Sequence, residues 1–461
     1  MASLIRSLFL LLCSCYVVIA HADVVAGHKG RTSVVVPVTS FQSSEESWTA
    51  PHPTRVSMPL AHRHGPCAPM PAKDEMSLVK KLRRDRARTM SITRRVSRST
   101  RLQNSDAVIV PTQLGSSYDT QQYVVTVGLG TLAVPQTLLL DTGSDLTWVQ
   151  CKPCNSTACY PQRLPLFNPS RSSTYKTIPC DSQECRTLAA GIDGDGCTST
   201  WECAFQIDYG SGANTTGVYS SDALTLGSRA VVESFHFGCG HDQEGPFDMT
   251  DGILGLGRLP ESLVWQTVGK HGAVFSHCLP PTGGDTGFLA LGAPENTTSG
   301  FVFTPLLTMD DQPWAYQLML TGISVGGEQL DIPTAVFREG MVMDSGTIVT
   351  ALQDTAYAAL RAAFRSAMAE YPPAPPTAQL DTCYDFTGYE NVTVPTVSLT
   401  FRGGATVELD ASSGLLLDGC LAFWTTDGDE YTGVIGNVNQ RTIEVLYDLP
   451  GARIGFRTGA C

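Results

Sequence analysis

Two aspartates, each followed by a hydroxyl residue and then glycine, are the residues best placed to do chemistry. Asp141-Thr142-Gly143-Ser144 follows the apolar run Thr137 to Leu140, and Asp344-Ser345-Gly346-Thr347 follows Met341-Val342-Met343. Each segment sets a carboxylate at the end of a buried-type strand, in a tight Gly turn whose N–H and hydroxyl donors can fix its oxygens. One such turn is usually structural, because strand–Asp–Gly turns are common. Here the turn occurs twice, and each copy has an apolar Gly segment downstream of it. Asp251-Gly252-Ile253-Leu254-Gly255-Leu256-Gly257 comes after the first, and Gly433-Val434-Ile435-Gly436-Asn437 after the second. The chain reads as a degenerate tandem duplication, and two similar lobes about a pseudo-dyad would bring the two carboxylates together. Carboxylates that close cannot easily both ionise; they share a proton, leaving one base and one acid. That equips a site to activate water and protonate a leaving group without a metal or a covalent intermediate. The competing reading is a two-domain β protein whose Gly segments only permit close backbone packing. Four motifs in register make it the weaker one.

The residues around these turns resemble the pepsin-like aspartic proteases, and the dense cysteines after the first turn look like the nepenthesin-type plant branch. The resemblance covers residues 106–461 and rests on DTGSDLTWVQC (141–151), IDYGSGANTTG (207–217), DGILGLG (251–257), VMDSGTIVT (342–350) and VIGNVNQRTIEVLYDLPGARIGFR (434–457). It implies a mostly β, bilobal pepsin-like fold, two similar β lobes with the active site in the cleft between them. It implies that Asp141 and Asp344 are a catalytic pair hydrolysing peptide bonds, with Ser144 and Thr347 bonded to the outer carboxylate oxygens. Tyr209-Gly210-Ser211-Gly212 alone reads as an ordinary hairpin turn. In the pepsin-like frame it is the flap that closes over substrate, with Tyr209 bonded to Trp148. Gly210 and Ser211 from above, and Gly143 and Gly346 from below, would then offer backbone groups to a polypeptide substrate in extended conformation. No cofactor and no metal are implied.

Other chemistries fail on residues. There is no Gly-x-Ser-x-Gly elbow, no His-Glu-x-x-His and no P-loop lysine after a Gly-rich run. Past residue 105 the histidines are His236, His241, His271 and His277, too scattered to suggest a metal site.

At 461 residues the chain is long enough for two or three domains and a large core. Its long apolar run is N-terminal: Arg6 precedes Leu8 to Ala20, and Ala20-His21-Ala22 matches a small-x-small cleavage site. Residues 1–22 therefore read as a secretory signal peptide rather than a membrane span. The mature product is expected to be soluble, monomeric and free of the membrane, in the apoplast first, with vacuole or plastid as alternatives.

Charge is strongly divided. Residues 1–105 carry 16 Lys/Arg against 6 Asp/Glu, whereas residues 106–461 carry 15 against 38. The basic excess concentrates in Lys80 to Arg88 and Arg94 to Arg98. Such a run suggests nucleic acid, but aromatics for base stacking are absent and the chain is exported, so no nucleic acid is expected. A basic pro-segment, residues 23–105, lying on an acidic catalytic body fits both signs. It would act as an intramolecular inhibitor, and acid would loosen it by protonating the carboxylates it leans on.

Of fifteen cysteines, Cys13 and Cys15 leave with the signal peptide and Cys67 lies in the pro-segment. The other twelve are Cys151, Cys154, Cys159, Cys180, Cys185, Cys197, Cys203, Cys239, Cys278, Cys383, Cys420 and Cys461. An even number in an oxidising compartment implies six disulfides. Cys151-Lys-Pro-Cys154 has no second closely spaced Cys or His pair, which argues against zinc. Residues 152–203 are rich in Pro, Ser, Thr and Gly and read as a disulfide-stapled insertion, unable to hold a fold by burial alone. The pairs expected are Cys151–Cys239, Cys278–Cys461 and Cys383–Cys420, with the others open. Sequons begin at Asn155, Asn214, Asn296 and Asn391, in polar or Gly-bearing stretches expected as glycosylated surface loops.

To position these residues the chain offers short strands bounded by Gly, Pro and Asp: 123–127, 138–140, 396–401 and 443–447. The best helix is expected over 354–370, capped by Asp354 or Thr355, with Tyr357, Leu360, Phe364 and Met368 on one face. A short helix is expected from about Pro260-Glu261-Ser262, and an amphipathic one across 75–92. The expected organisation is a signal peptide 1–22, a pro-segment 23–105, an N-terminal catalytic lobe 106–300 with the insertion 152–203 and a flap near 207–217, and a C-terminal catalytic lobe 301–461. The rival from another class is a catalytically silent binding or inhibitor protein on the same fold, resembling the cereal xylanase inhibitors. Those relatives lose one or both Asp turns, whereas both are intact here.

Overall fold

The apolar runs that precede the two Asp turns become the central strands of two lobes built to one plan. In the N-terminal lobe, Val134–Asp141 pairs in parallel with Gly252–Gly255, and that strand pairs antiparallel with Trp148–Gln150. Trp148–Gln150 in turn lies parallel to part of the long strand Ala230–Glu244. The C-terminal lobe repeats the order: Met341–Met343 parallel to Gly433–Ile435, then Thr350–Leu352 antiparallel to it and parallel to Phe423–Thr425. Each repeated Gly segment thus lies beside its own Asp strand. A Cβ at Gly255 would collide with the carbonyl oxygen of Asp145, four residues past Asp141, so glycine is what lets the segment pass close to the chain just beyond the Asp turn.

This computed structural model describes residues 33–37, 78–92, 108–114, 120–154, 157–190, 194–227, 230–281, 287–293, 299–308 and 313–461. The expected signal peptide, Cys67, Asn155, Asn296 and the run Arg94 to Arg98 lie outside them. Among the described residues no helix is long and apolar enough to cross a membrane. Residues 31–461 form one unit.

The lobes are joined by continuous β pairing. Val302–Pro305, Arg453–Arg457, Glu444–Asp448, Val274–Cys278, Gly287–Leu291, Val108–Leu114 and Tyr123–Leu129 succeed one another across the sheet. Phe275 and Tyr447 stack there with centroids 4.3 Å apart, and Tyr316 meets Tyr447 edge-on at 4.5 Å. All three are buried, so aromatic packing welds the floor beneath the cleft.

The strands run longer than their apolar patterns: Tyr123–Leu129 and Val134–Asp141 extend past 123–127 and 138–140. The C-terminal helix spans Asp354–Ala367 and buries Tyr357, Leu360 and Phe364 as its spacing predicts. Its cap differs from expectation. Gln353 holds the capping position without a side-chain bond, and Asp429, from a distant loop, accepts the Thr355 N–H at 2.8 Å and its hydroxyl at 2.6 Å. The short helix Leu263–Gln266 is capped by Ser262, whose hydroxyl accepts from the Trp265 N–H.

Six disulfides are present: Cys151–Cys239, Cys154–Cys159, Cys180–Cys197, Cys185–Cys203, Cys278–Cys461 and Cys383–Cys420. Three staple the insertion internally, and the first ties its root to the strand Ala230–Glu244. Mass spectrometry of the non-reduced mature chain is expected to find all twelve cysteines oxidised in these pairs. Two or more free thiols would contradict the connectivity.

Candidate active site

The two Asp turns meet between the lobes with matching hydrogen bonds. Asp141 is 1 % exposed and Asp344 is fully buried. Gly143 N–H donates to Asp141 Oδ1 at 2.9 Å and the Ser144 hydroxyl to Oδ2 at 2.6 Å. Gly346 N–H donates to Asp344 Oδ1 at 2.8 Å and the Thr347 hydroxyl to Oδ2 at 2.5 Å. The glycines also let the turns close on one another. A Cβ on Gly143 would fall 2.6 Å from Asp344 Oδ1, and one on Gly346 would collide with Asp141 Oδ1.

Two residues that sequence reasoning passes over lock this arrangement. Thr142 N–H donates to Ser345 Oγ at 3.0 Å, and Ser345 N–H to Thr142 Oγ1 at 2.9 Å. Their hydroxyls then donate across the junction, Thr142 to the Met343 carbonyl at 3.1 Å and Ser345 to the Leu140 carbonyl at 2.8 Å. These four bonds fix the spacing of the carboxylates from both lobes at once. The signal was a hydroxyl between Asp and Gly in both turns.

Above the pair stands the hairpin of strands Cys203–Asp208 and Asn214–Leu226. Its tip is closed by Tyr209 N–H to the Ala213 carbonyl and Gly212 N–H to the Tyr209 carbonyl, with Gly212 at φ +81. The buried Trp148 donates its indole N–H to the Tyr209 hydroxyl at 2.7 Å, and Phe247 meets both rings edge-on. Gly210 and Ser211 sit half-exposed at the tip. Asn214 begins a strand of this hairpin rather than lying in a loop, and Asn391 likewise begins the strand Asn391–Pro395. The β-branched residues that follow each Asn favour the extended state.

Helix α1 (Leu78–Ile92) runs through the same space. Its Arg88 donates Nη2–H to Asp141 Oδ1 at 2.6 Å and to Asp344 Oδ1 at 3.2 Å, and Nε–H to Asp344 Oδ2 at 3.1 Å. One turn earlier, Asp85 accepts the N–H groups of Ile348 and Val349 at 2.6 and 2.9 Å. Arg84 pairs with Asp248 at 2.6 Å and Arg86 pairs with Asp427, while Arg83 is exposed. Leu82 is fully buried against a cluster that includes Ile348, Val349 and Trp314. Sequence reasoning weighs this basic run as collective charge and does not single out Arg88.

Electrostatics divide the pair. Burial holds the Asp141 carboxyl above the ordinary carboxylate range, against the pull of Arg88. Burial acts the same way on Asp344, but Arg88, Thr347 and Gly346 outweigh it and hold that carboxyl below the range. Burial opposes the charge on Arg88, and the two carboxylates outweigh burial, so the guanidinium stays charged. Among the described residues no cluster of three or more His, Cys, Asp and Glu is placed to hold a metal.

Residues 123–293 match the family Xylanase inhibitor N-terminal, and residues 315–458 match Xylanase inhibitor C-terminal. An aspartyl protease family protein of Arabidopsis thaliana is 38 % identical over 451 residues, covering 95 % of this chain and 94 % of that protein. The chain belongs to the plant pepsin-like aspartic proteases. The protease is also 32 % identical to aspartic proteinase nepenthesin-2 of Nepenthes gracilis, over 78 % of this chain and 82 % of that one. Basic 7S globulin from soybean shares its fold, with TM-score 0.62 and 19 % identity, over 76 % of this chain and 94 % of that chain. By its family the protease is an aspartic-type endopeptidase acting on polypeptides.

Proposed function

We propose that this protease is secreted as a zymogen and hydrolyses peptide bonds with a water activated between Asp141 and Asp344. Residues 1–22 leave as the signal peptide, and residues 23–105 form the pro-segment. Lobes 106–300 and 301–461 flank the cleft. The observation that carries this reading is Arg88, a cation from the upstream basic segment bonded to both carboxylates of an otherwise symmetric pair.

With α1 displaced, the pair loses its cation and shares one proton, as like charges this close must. The ionised member takes a proton from water as its oxygen attacks the peptide carbonyl carbon, and the protonated member gives its proton to the carbonyl oxygen. Collapse of the tetrahedral intermediate breaks the C–N bond. The amine takes a proton from the pair's protonated member as one hydroxyl of the intermediate returns its proton to the ionised member, so water is consumed and the pair is left with one proton again. Ser144, Thr347, Gly143 and Gly346 hold the carboxylates in plane throughout. Tyr209, held by Trp148, closes the flap over an extended substrate and excludes bulk water. Two intact carboxylates with full donor sets favour this reading over a silent binding protein.

Acidifying the purified precursor while sequencing its N-terminus tests the proposal. Expected is a new N-terminus near residue 105, appearing together with pepstatin-sensitive hydrolysis. Activity at full length without cleavage, or cleavage with no activity, would overturn the zymogen.

A further inference from the structure

We infer that Asp248 makes the mature protease prefer substrates with arginine or lysine within about two residues of the scissile bond; this rests on the peptidase reading above. Asp248 lines a recess of the cleft beside the dyad. The recess is walled by Leu139, Phe247 and Ile253 and lies under the flap residue Tyr209. Leu139 stands on the same strand as Asp141, two residues before it, and pairs with Ile253.

The charge in this recess is one-sided. Of the charged residues lining it, Asp248 is the one supplied by the body of the protease, whereas Lys81, Arg84, Asp85 and Arg88 all come from α1. Arg84 reaches across the recess to Asp248, donating to its Oδ1 at 2.6 Å, with the Asp248 side chain only 10 % exposed while α1 is in place. Arg84 precedes Arg88 by four residues, about 6 Å along the helix axis. In an extended peptide that reach is about two residues. The helix therefore carries one guanidinium on the carboxylate pair and another at the distance of a neighbouring substrate side chain.

Removing the pro-segment strands the Asp248 carboxylate. Apolar Leu139, Phe247 and Ile253 share the recess with it, beside the polar Thr120 and Gln122, so a carboxylate without its cation there is only partly compensated. Burial is the largest influence on its carboxyl and pushes it above the usual range, while Arg84, the Thr120 hydroxyl and Lys81 pull it down. Two of those three partners leave with α1. A substrate guanidinium or ammonium restores the lost pair, and a neutral side chain does not, so the difference enters kcat/KM. Asp248 touches no reacting atom and acts as a specificity residue.

The test uses mature protease and peptides matched except for Arg, Lys, Gln or Glu at each position flanking the cut. Wild type is expected to favour Arg or Lys over Gln at one position by at least about tenfold in kcat/KM. Asp248→Asn is expected to bring that ratio to within about twofold, and Asp248→Lys to invert it toward Glu. Should either variant fold poorly, the wild-type profile decides alone. Pepstatin-sensitive cleavage with no basic preference at any position, or an unchanged ratio in Asp248→Asn, overturns this inference and leaves the peptidase reading standing. Failure to cut any peptide, with no pepstatin bound, removes both.

Discussion

Asp141→Asn or Asp344→Asn is expected to lower peptide hydrolysis by at least about a thousandfold while leaving the thermal melt of the mature chain nearly unchanged. Asn is close in shape to Asp, and its amide oxygen still accepts the Gly143 or Gly346 N–H that now bonds Oδ1. The Ser144 or Thr347 hydroxyl rotates from donating to accepting, so the turn survives. What is lost is the shared proton: an amide cannot serve as the acid or the base of the pair. The measurement is kcat/KM for each variant, released from its pro-segment at an inserted cleavage site so that maturation does not depend on its own activity. Turnover near wild type in either variant would remove that residue from the catalytic pair.

Arg88→Gln is expected to give a precursor that already hydrolyses peptides near pH 6, where the wild-type precursor is silent. Arg88 is 8 % exposed and bonded to both buried carboxylates. Breaking a buried ion pair costs about 3 kcal/mol or more, on the order of 100-fold in the docking equilibrium of α1. The pH dependence is a matter of linkage. Docked, Arg88 helps hold Asp344 below the ordinary carboxylate range, so that carboxylate favours docking at higher pH. That contribution is lost as pH falls through the lowered pKa of the docked Asp344. Asp85 works in the opposite sense. Burial, partly offset by the Ile348 and Val349 N–H groups, raises its docked carboxyl to about 7, so proton uptake there accompanies docking and strengthens it below pH 7. Acid release in the wild type is therefore expected to follow Asp344 rather than Asp85. Removing Arg88 abolishes the acid requirement, whereas an unchanged maturation profile would show that the cation on the dyad is not the latch.

The parts legible in the sequence were those written in local pattern. Asp turns after apolar runs, Gly segments in the same order, and the 3.6-residue spacing of Tyr357, Leu360 and Phe364 each describe a few neighbouring residues. The parts that escaped depend on partners far away in the chain. Arg88 reaches across 53 residues to Asp141 and 256 to Asp344, and nothing in Arg83-Arg84-Asp85-Arg86-Ala87-Arg88 marks which arginine will point inward. The Thr142–Ser345 exchange spans 203 residues, and the helix cap from Asp429 lies 74 residues from Thr355. The bridges within 152–203 were open for the same reason, since six cysteines allow many pairings and folding selects one. Asn214 shows the converse limit: a polar, Gly-bearing surrounding suggested a loop, but β-branched neighbours and pairing with Asp208 and Glu244 make it the start of a strand.

Titration of the acid-matured chain with pepstatin, followed by peptide hydrolysis across the acidic range, tests the paired-carboxylate chemistry most directly. Expected is loss of all hydrolysis at one pepstatin per chain, with activity declining as pH rises from about 4 toward 7 and the shared proton is lost. Hydrolysis that persists under saturating pepstatin, or that is undiminished at pH 7, would contradict it.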